Sequence, residues 1–90
     1  MEKIIKLTGR IDTNNAEKVE ADINKELEEF SGDLILDAQE LEYISSAGLR
    51  VLVTVQKKLK PQNIPFVIYV NDNIREIFLM AGFDKILTLK

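Results

Sequence analysis

Neither cysteine nor histidine occurs anywhere in the 90 residues. Without cysteine there are no disulfides and no thiol chemistry. Without histidine there is no imidazole acid–base catalysis and no Ser–His–Asp triad, and the two absences together remove nearly every zinc site. Long apolar runs are missing too: none approaches the roughly 20 residues that a membrane-spanning helix requires. The opening stretch, MEKIIKLTGR, has too short an apolar run for a signal peptide, so a cytoplasmic location is the expectation. Clustered positive charge is scarce. The formal net charge is −3, whereas nucleic-acid phosphates call for a basic face, so direct nucleic-acid binding is not expected. Lys57, Lys58 and Lys60 lie close together, but where a helix would end and where they complement its dipole.

What is present is ordinary globular protein, 46% hydrophobic and 30% charged, neither disordered nor membranous in composition. Repeats, low-complexity segments and linkers are absent, and residues 1–90 read as a single domain. A chain of this size buries roughly 60–70% of the surface its unfolded form exposes, enough for one modest core. The chemistry on offer is carboxylates, hydroxyls, a few cations and backbone amides. No cofactor or metal is implied, and catalysis is not expected.

The pattern alternates strand and helix. Residues 3–8 read as a strand, with Ile5 and Leu7 on one face and Lys6 and Thr8 on the other, followed by a connection from Gly9 to Thr13. Ala16, Val19, Ile23, Leu27 and Phe30 then recur at helical spacing, which predicts a helix over 13–30 with Thr13 as N-cap and Gly32 closing its end. Leu34–Leu36 and Phe66–Val70 are unbroken apolar runs, the signature of strands covered on both faces of a parallel sheet. Ile86–Leu89 is a shorter run, so the first and fourth strands read as edges. Ile74, Ile77, Phe78 and Ala81 mark a short helix between the last two strands, capped by Asp72 and stopped by Gly82.

Residues 46–60 carry two signals. Val51, Val53 and Val55 alternate as in a strand, while Leu49, Leu52, Gln56 and Leu59 follow helical spacing and Pro61 supplies a stop. Parallel neighbours need a crossover, usually helical, so helix is the expectation. The fold class that results is α/β: four mostly parallel strands with three crossover helices.

That topology sets Ser45 and Ser46 in a strand-to-helix loop at the carboxyl end of the sheet, where functional loops gather. The amides of Ala47, Gly48 and Leu49 open the helix, and Gly48, lacking a side chain, lets another molecule approach. The two hydroxyls could cap the helix, attack a substrate, hold a phosphate or receive one. A capping box fails, because Leu49 stands where Glu or Gln would be needed, although capping by one serine remains open. No base lies in the motif to activate a nucleophile, and the glycine spacing and lysine of a phosphate-binding loop are missing. A phosphate accepted on a serine would meet the helix amides without unfolding the domain. Asp12 could cap the first helix or face a partner; Asp37 ends a strand and satisfies loop amides or contacts a partner.

From about Lys3 to Leu89 the chain resembles the anti-sigma factor antagonists, stand-alone forms of the STAS (sulfate transporter and anti-sigma factor antagonist) domain. Three stretches carry the resemblance: KLTGRIDTNNA (6–16), LILDAQELEYISSAGLRVL (34–52) and NDNIREIFLMAGFDKIL (71–87). It implies a STAS-like fold, a single-domain β–α superhelix with a mixed or parallel sheet, and a switch rather than an enzyme. In such proteins the serine two places before the glycine, here Ser46, is phosphorylated by an anti-sigma factor serine kinase using the kinase's ATP. The unphosphorylated antagonist binds the anti-sigma factor and frees the sigma factor, and a serine phosphatase resets it. The implied docking surface takes in Asp12, Thr13 and Asn14 together with Ser45, Ala47, Gly48, Leu49 and Arg50. The chain departs from the pattern where Ser45 replaces a common Asp, making it a competing acceptor, and where Ala47 replaces Ser or Thr. It also begins at what is usually the second strand and has no long C-terminal helix. Two other functions fit the same residues: a sensor binding a nucleotide or lipid at the helix start, and a constitutive scaffold whose serines are only caps.

Overall fold

A computed structural model describes residues 2–28 and 32–90. Strand β1 (Glu2–Ile11) leads to helix α1 (Ala16–Glu28), then β2 (Asp33–Ile44), α2 (Ser46–Leu59), β3 (Phe66–Val70), α3 (Asp72–Ala81) and β4 (Thr88–Leu89). The four strands form one sheet in the order β1-β2-β3-β4, every neighbouring pair parallel. The short apolar run of β4 and the N-terminal strand do form the edges.

One face of the sheet is buried. Leu7 and Ile11 of β1, Leu34, Leu36, Ala38, Leu41 and Ile44 of β2, and Phe66, Ile68 and Val70 of β3 share a single core with the helices. The helices contribute Ile23 from α1, Leu49, Leu52, Val55 and Leu59 from α2, and Ile74 and Phe78 from α3. The residues between them on the strands stay partly open: Ile35, Val67 and Tyr69 are half-buried and Ile4 is 60% exposed. The unbroken apolar runs of β2 and β3 thus arise with one covered face rather than the two expected, since β-branched and aromatic residues suit a half-exposed strand face as well.

The helical signal prevails in α2 because Val51 and Val55 stand four residues apart and fall on the buried side together with Leu52 and Leu59. Only Val53 is left half-buried. The helix gives way to a 3-10 turn at Lys60–Gln62, which holds Pro61 and ends at Asn63 with φ 57°. Its exposed stripe runs Ser46, Arg50, Thr54 and Lys57, one turn apart.

Other boundaries move from their sequence-based positions. β1 continues through Gly9, whose φ of 71° favours glycine, and stops at Ile11. α1 begins at Ala16 rather than Thr13, which lies exposed in the preceding turn and makes no cap. Phe30 lies outside the described residues, and with it the passage from α1 to Gly32. β2 runs well past Asp37, and its register against β1 shifts between Lys6 and Thr8 and again between Gly9 and Arg10. Asp37 therefore sits within the strand, its Oδ1 accepting the Gln39 N–H at 3.1 Å at the first of these bulges. The cap of α3 is Asn71, whose Oδ1 accepts the Ile74 N–H at 2.9 Å, and Asp72 falls in the first turn. Gly82 closes α3 in a left-handed conformation as expected, but Ala81 is exposed, and a 3-10 turn at Phe83–Lys85 shortens β4.

Leu52 is 1% exposed in this core. Leu52→Asp should unfold the domain, since an unpaired buried charge costs several kcal/mol. Lys57→Ala, on the exposed stripe of the same helix, should change stability by less than about 0.5 kcal/mol. Thermal melts of the two variants check the burial; equal melting temperatures would contradict it.

Candidate functional site

The carboxyl ends of β1 and β2 meet the first turn of α2. Ile11 pairs with Ile44, and one residue further the Ser45 N–H donates to the Ile11 carbonyl at 2.8 Å, so the parallel ladder continues up to the edge of the helix. Ser45 is extended (φ −85°, ψ 173°) and is the N-cap: its Oγ accepts the Gly48 N–H at 3.3 Å, and its carbonyl accepts the Leu49 N–H at 2.9 Å. Two of the three amides that open the helix, those of Gly48 and Leu49, are therefore already used. Those of Ser46 and Ala47 remain, with no hydrogen-bond partner among the described residues.

The two serines differ in what surrounds them. Ser45 is half-buried and fixed from both sides, whereas Ser46 is exposed, and its hydroxyl makes no hydrogen bond among the described residues.

Gly48 has a different part from the one its sequence position suggested. It is buried, and a Cβ there would lie 2.7 Å from Ile44 Cγ1 and 2.8 Å from Ile11 Cγ2. The missing side chain brings the helix against the two strand ends; it does not open a path for a visitor. Leu49 is 3% exposed and belongs to the core. The remaining residues of this turn that reach the surface are Ser46, Ala47 in part, and Arg50.

The loop from β1 to α1 lies beside this turn and is built from its own side chains. Asp12 Oδ1 accepts the Asn14 N–H at 2.9 Å, Asn15 Oδ1 accepts the Asp12 N–H at 2.8 Å, and Asn15 Nδ2 donates to the Arg10 carbonyl at 2.8 Å. The Asp12 carbonyl takes the Ala16 N–H at 2.9 Å. Asp12 is thus occupied in shaping the loop, and its other oxygen lies 3.5 Å from Arg10 Nε. Thr13 and Asn14 are held outward at the tip.

Four residues here escaped the sequence reading. Tyr43 is 41% exposed, with the Arg10 guanidinium 5.0 Å from its ring centroid. The distance is a cation–π contact. Asn15 is the loop's anchor. Asn71 not only caps α3 but donates through Nδ2 to the carbonyls of Gln39 and Leu41, at 3.0 and 2.9 Å, across the bulged part of β2. A strand-to-helix Asn is a recognisable capping signal; its second bond is visible only once the chain is folded. Between α1 and α2 a groove of about 260 Å³ opens beside the site, lined by Thr13, Glu17, Glu20, Ala47, Arg50 and Thr54 among others. Among the described residues no metal-binding cluster and no helix long and apolar enough to cross a membrane is present.

The STAS domain family matches residues 2–90, and the chain belongs to that family. It is 36% identical over 81 residues to a Bordetella bronchiseptica protein provisionally named anti-sigma factor antagonist BtrV, covering 89% of this chain and 70% of that one. Among solved structures, an anti-sigma factor antagonist from Mycobacterium paratuberculosis superposes with a TM-score of 0.88 at 24% identity, over 98% of this chain and 75% of that one. SpoIIAA matches in its unphosphorylated form with a TM-score of 0.79 (16% identity, 99% of this chain, 79% of that one). Its phosphorylated form, from Bacillus, matches at 0.72 (16% identity, 99% and 82%). At these identities the solved structures establish the fold of the family and nothing finer.

The energetic weight of the turn can be measured. Ser45→Ala removes a cap and should cost about 1 kcal/mol. Gly48→Ala should cost about 1–3 kcal/mol through overpacking against Ile44 and Ile11, and Ile44→Val in the same chain should recover little of it, because valine keeps the γ carbon that a Cβ would meet at 2.7 Å. Denaturant midpoints of these variants check both figures; a neutral Gly48→Ala would show that the helix stands off the strands.

Proposed function

We propose that this protein is an anti-sigma factor antagonist in which Ser46 is the phosphoacceptor and the unphosphorylated form binds an anti-sigma factor kinase. Support at the level of relatives comes from the BtrV similarity, the family and the SpoIIAA-like fold. The observation that carries the residue assignment is the contrast between the two serines: Ser45 is spent as the helix cap, and Ser46 stands exposed with a free hydroxyl.

In the proposed transfer, Ser46 Oγ attacks the γ-phosphorus of the kinase's ATP and the bond to ADP breaks. The hydroxyl proton goes to a base on the kinase, since this chain has no histidine and the nearby Asp12 is engaged in its loop. A serine phosphatase would reverse the modification. The docking surface consists of the Thr13–Asn14 tip and the exposed start of α2, with Ala47 and Arg50 beside Ser46; Asp12 and Ser45 hold that surface in shape from beneath, and Gly48 and Leu49 set its height. Freed sigma factor, and with it transcription, is the output.

Phosphate on Ser46 leaves the fold intact, because it points to solvent at the positive end of the helix. It impairs docking by bringing roughly 1.5–2 negative charges that must be desolvated at the interface. A loss of about 2–3 kcal/mol, some 30- to 150-fold in affinity, is expected. Phosphate incorporation and affinity for the cognate kinase test this in three variants. Ser46→Ala should bind without being modified, Ser46→Asp should show part of the loss, and Ser45→Ala should still be modified. Incorporation that persists in Ser46→Ala but disappears in Ser45→Ala would move the acceptor to Ser45.

A further inference from the structure

Arg50 stands four residues after Ser46 on the exposed stripe of α2. Side chains of a helix lean towards its N-terminus, so a residue at i+4 covers the surface over position i, and such pairs lie about 5–6 Å apart at Cβ. Arginine is the cation best matched to phosphate, which it grips through two parallel N–H donors.

Arg50 is also uncommitted. No ion pair to it forms among the described residues, where the pairs present are Lys3–Glu26, Lys6–Glu40, Arg10–Asp12 and Lys18–Asp22. The other arginine of the region, Arg10, is held between the Asp12 carboxylate and the Tyr43 ring. The neighbours that compete for Arg50 are Glu17 and Glu20, which line the α1–α2 groove with it.

We infer that Arg50 is the intramolecular clamp of phosphorylated Ser46: its guanidinium swings from the α1–α2 groove to pair with the phosphate across one turn of α2. This deepens the proposed function and rests on Ser46 being the acceptor. The clamp changes two surfaces at once. It ties the phosphate to its own helix, adding a cross-turn contact to the free amides of Ser46 and Ala47. It also withdraws the positive charge that balances Glu17 and Glu20, so a partner reading the groove meets an acidic wall where it had met a mixed one. Phosphorylation would then alter recognition beyond the serine itself.

The test uses the isolated protein with phosphoserine installed at position 46 during synthesis, so that no kinase is needed. Phosphorus NMR follows the second phosphate ionisation, which lies near pH 6 for an ordinary phosphoserine. With Arg50 in place it should fall below its value in Arg50→Gln by about 0.3–0.7 pH unit. Arg50→Lys should keep part of the shift, Glu17→Gln with Glu20→Gln should enlarge it, and 0.5 M salt should shrink it. Arg10→Gln is the control for a diffuse field and should move the ionisation much less. Equal values with and without Arg50, or an equal effect from Arg10→Gln, would overturn the clamp. A kinase that modifies no residue at position 46 would remove the proposed function while leaving this measurement standing, so the two failures are distinguishable.

Discussion

The close approach of α2 to the ends of β1 and β2 at Gly48 governs the rest of the site. Room for a Cβ is lacking there, with Ile44 and Ile11 side chains at 2.7 and 2.8 Å from where it would stand. Because the helix start is pressed against both strands, the Ser45 N–H can reach the Ile11 carbonyl and the Ser45 hydroxyl can reach the Gly48 amide. One glycine thus converts a serine pair of identical chemistry into an inner cap and an outer free hydroxyl. The adjacent Asp12–Asn15 loop follows directly from Ile11, so its position is fixed by the same contact. With a side chain at position 48 the turn would have to lift or the two isoleucines shift, and these two of the hydrogen bonds of Ser45 would stretch.

Much of this architecture was legible in the sequence, for a physical reason. Helical periodicity over 46–60 integrates many weak preferences, so it survived a strand-like valine alternation that involves only three residues. Strand order followed from the edge character of the first and last apolar runs. Termini were less legible because they rest on single side chains. Asp72 and Asn71 are both good caps by composition, and only the position of the Ile74 amide selects Asn71. The length of β2 was hidden for a related reason. Its two bulges break the alternation after Leu36, so polar residues such as Gln39 and Glu40 read as a loop although the chain is still paired with β1.

At the candidate site, residue types were readable and their orientation was not. The serine pair, the neighbouring Asp12–Asn14 loop and Arg50 could all be found from spacing and from family resemblance. That Gly48 faces inward could not, because glycine at a helix start serves close packing and open access equally well. Tyr43 and Arg10 were missed because they sit on different strands, and their contact exists only in the register that pairs Arg10 with Tyr43. Asn71 spans from α3 to β2, a tertiary link with no local signature.

The proposed switch would need a modification that changes docking while sparing folding. A domain of this size is stable by only about 5–13 kcal/mol, so a charge that disturbed the core would lower the folded population as well as the affinity. At Ser46 the two effects are separated by position. The hydroxyl faces solvent, the nearest free amides and the helix dipole favour negative charge, and the exposed stripe contains a cation one turn away. Local terms would therefore stabilise the helix, were Ser46 phosphorylated as proposed, by a few tenths of a kcal/mol to about 1, while an interface that must desolvate the same phosphate would lose more than that. The sign would differ between the two processes because the phosphate would stay hydrated in the free domain and be stripped of water only in the complex. Under the proposed phosphorylation of Ser46, that difference would let a single serine act as the switch without the domain having to change its fold.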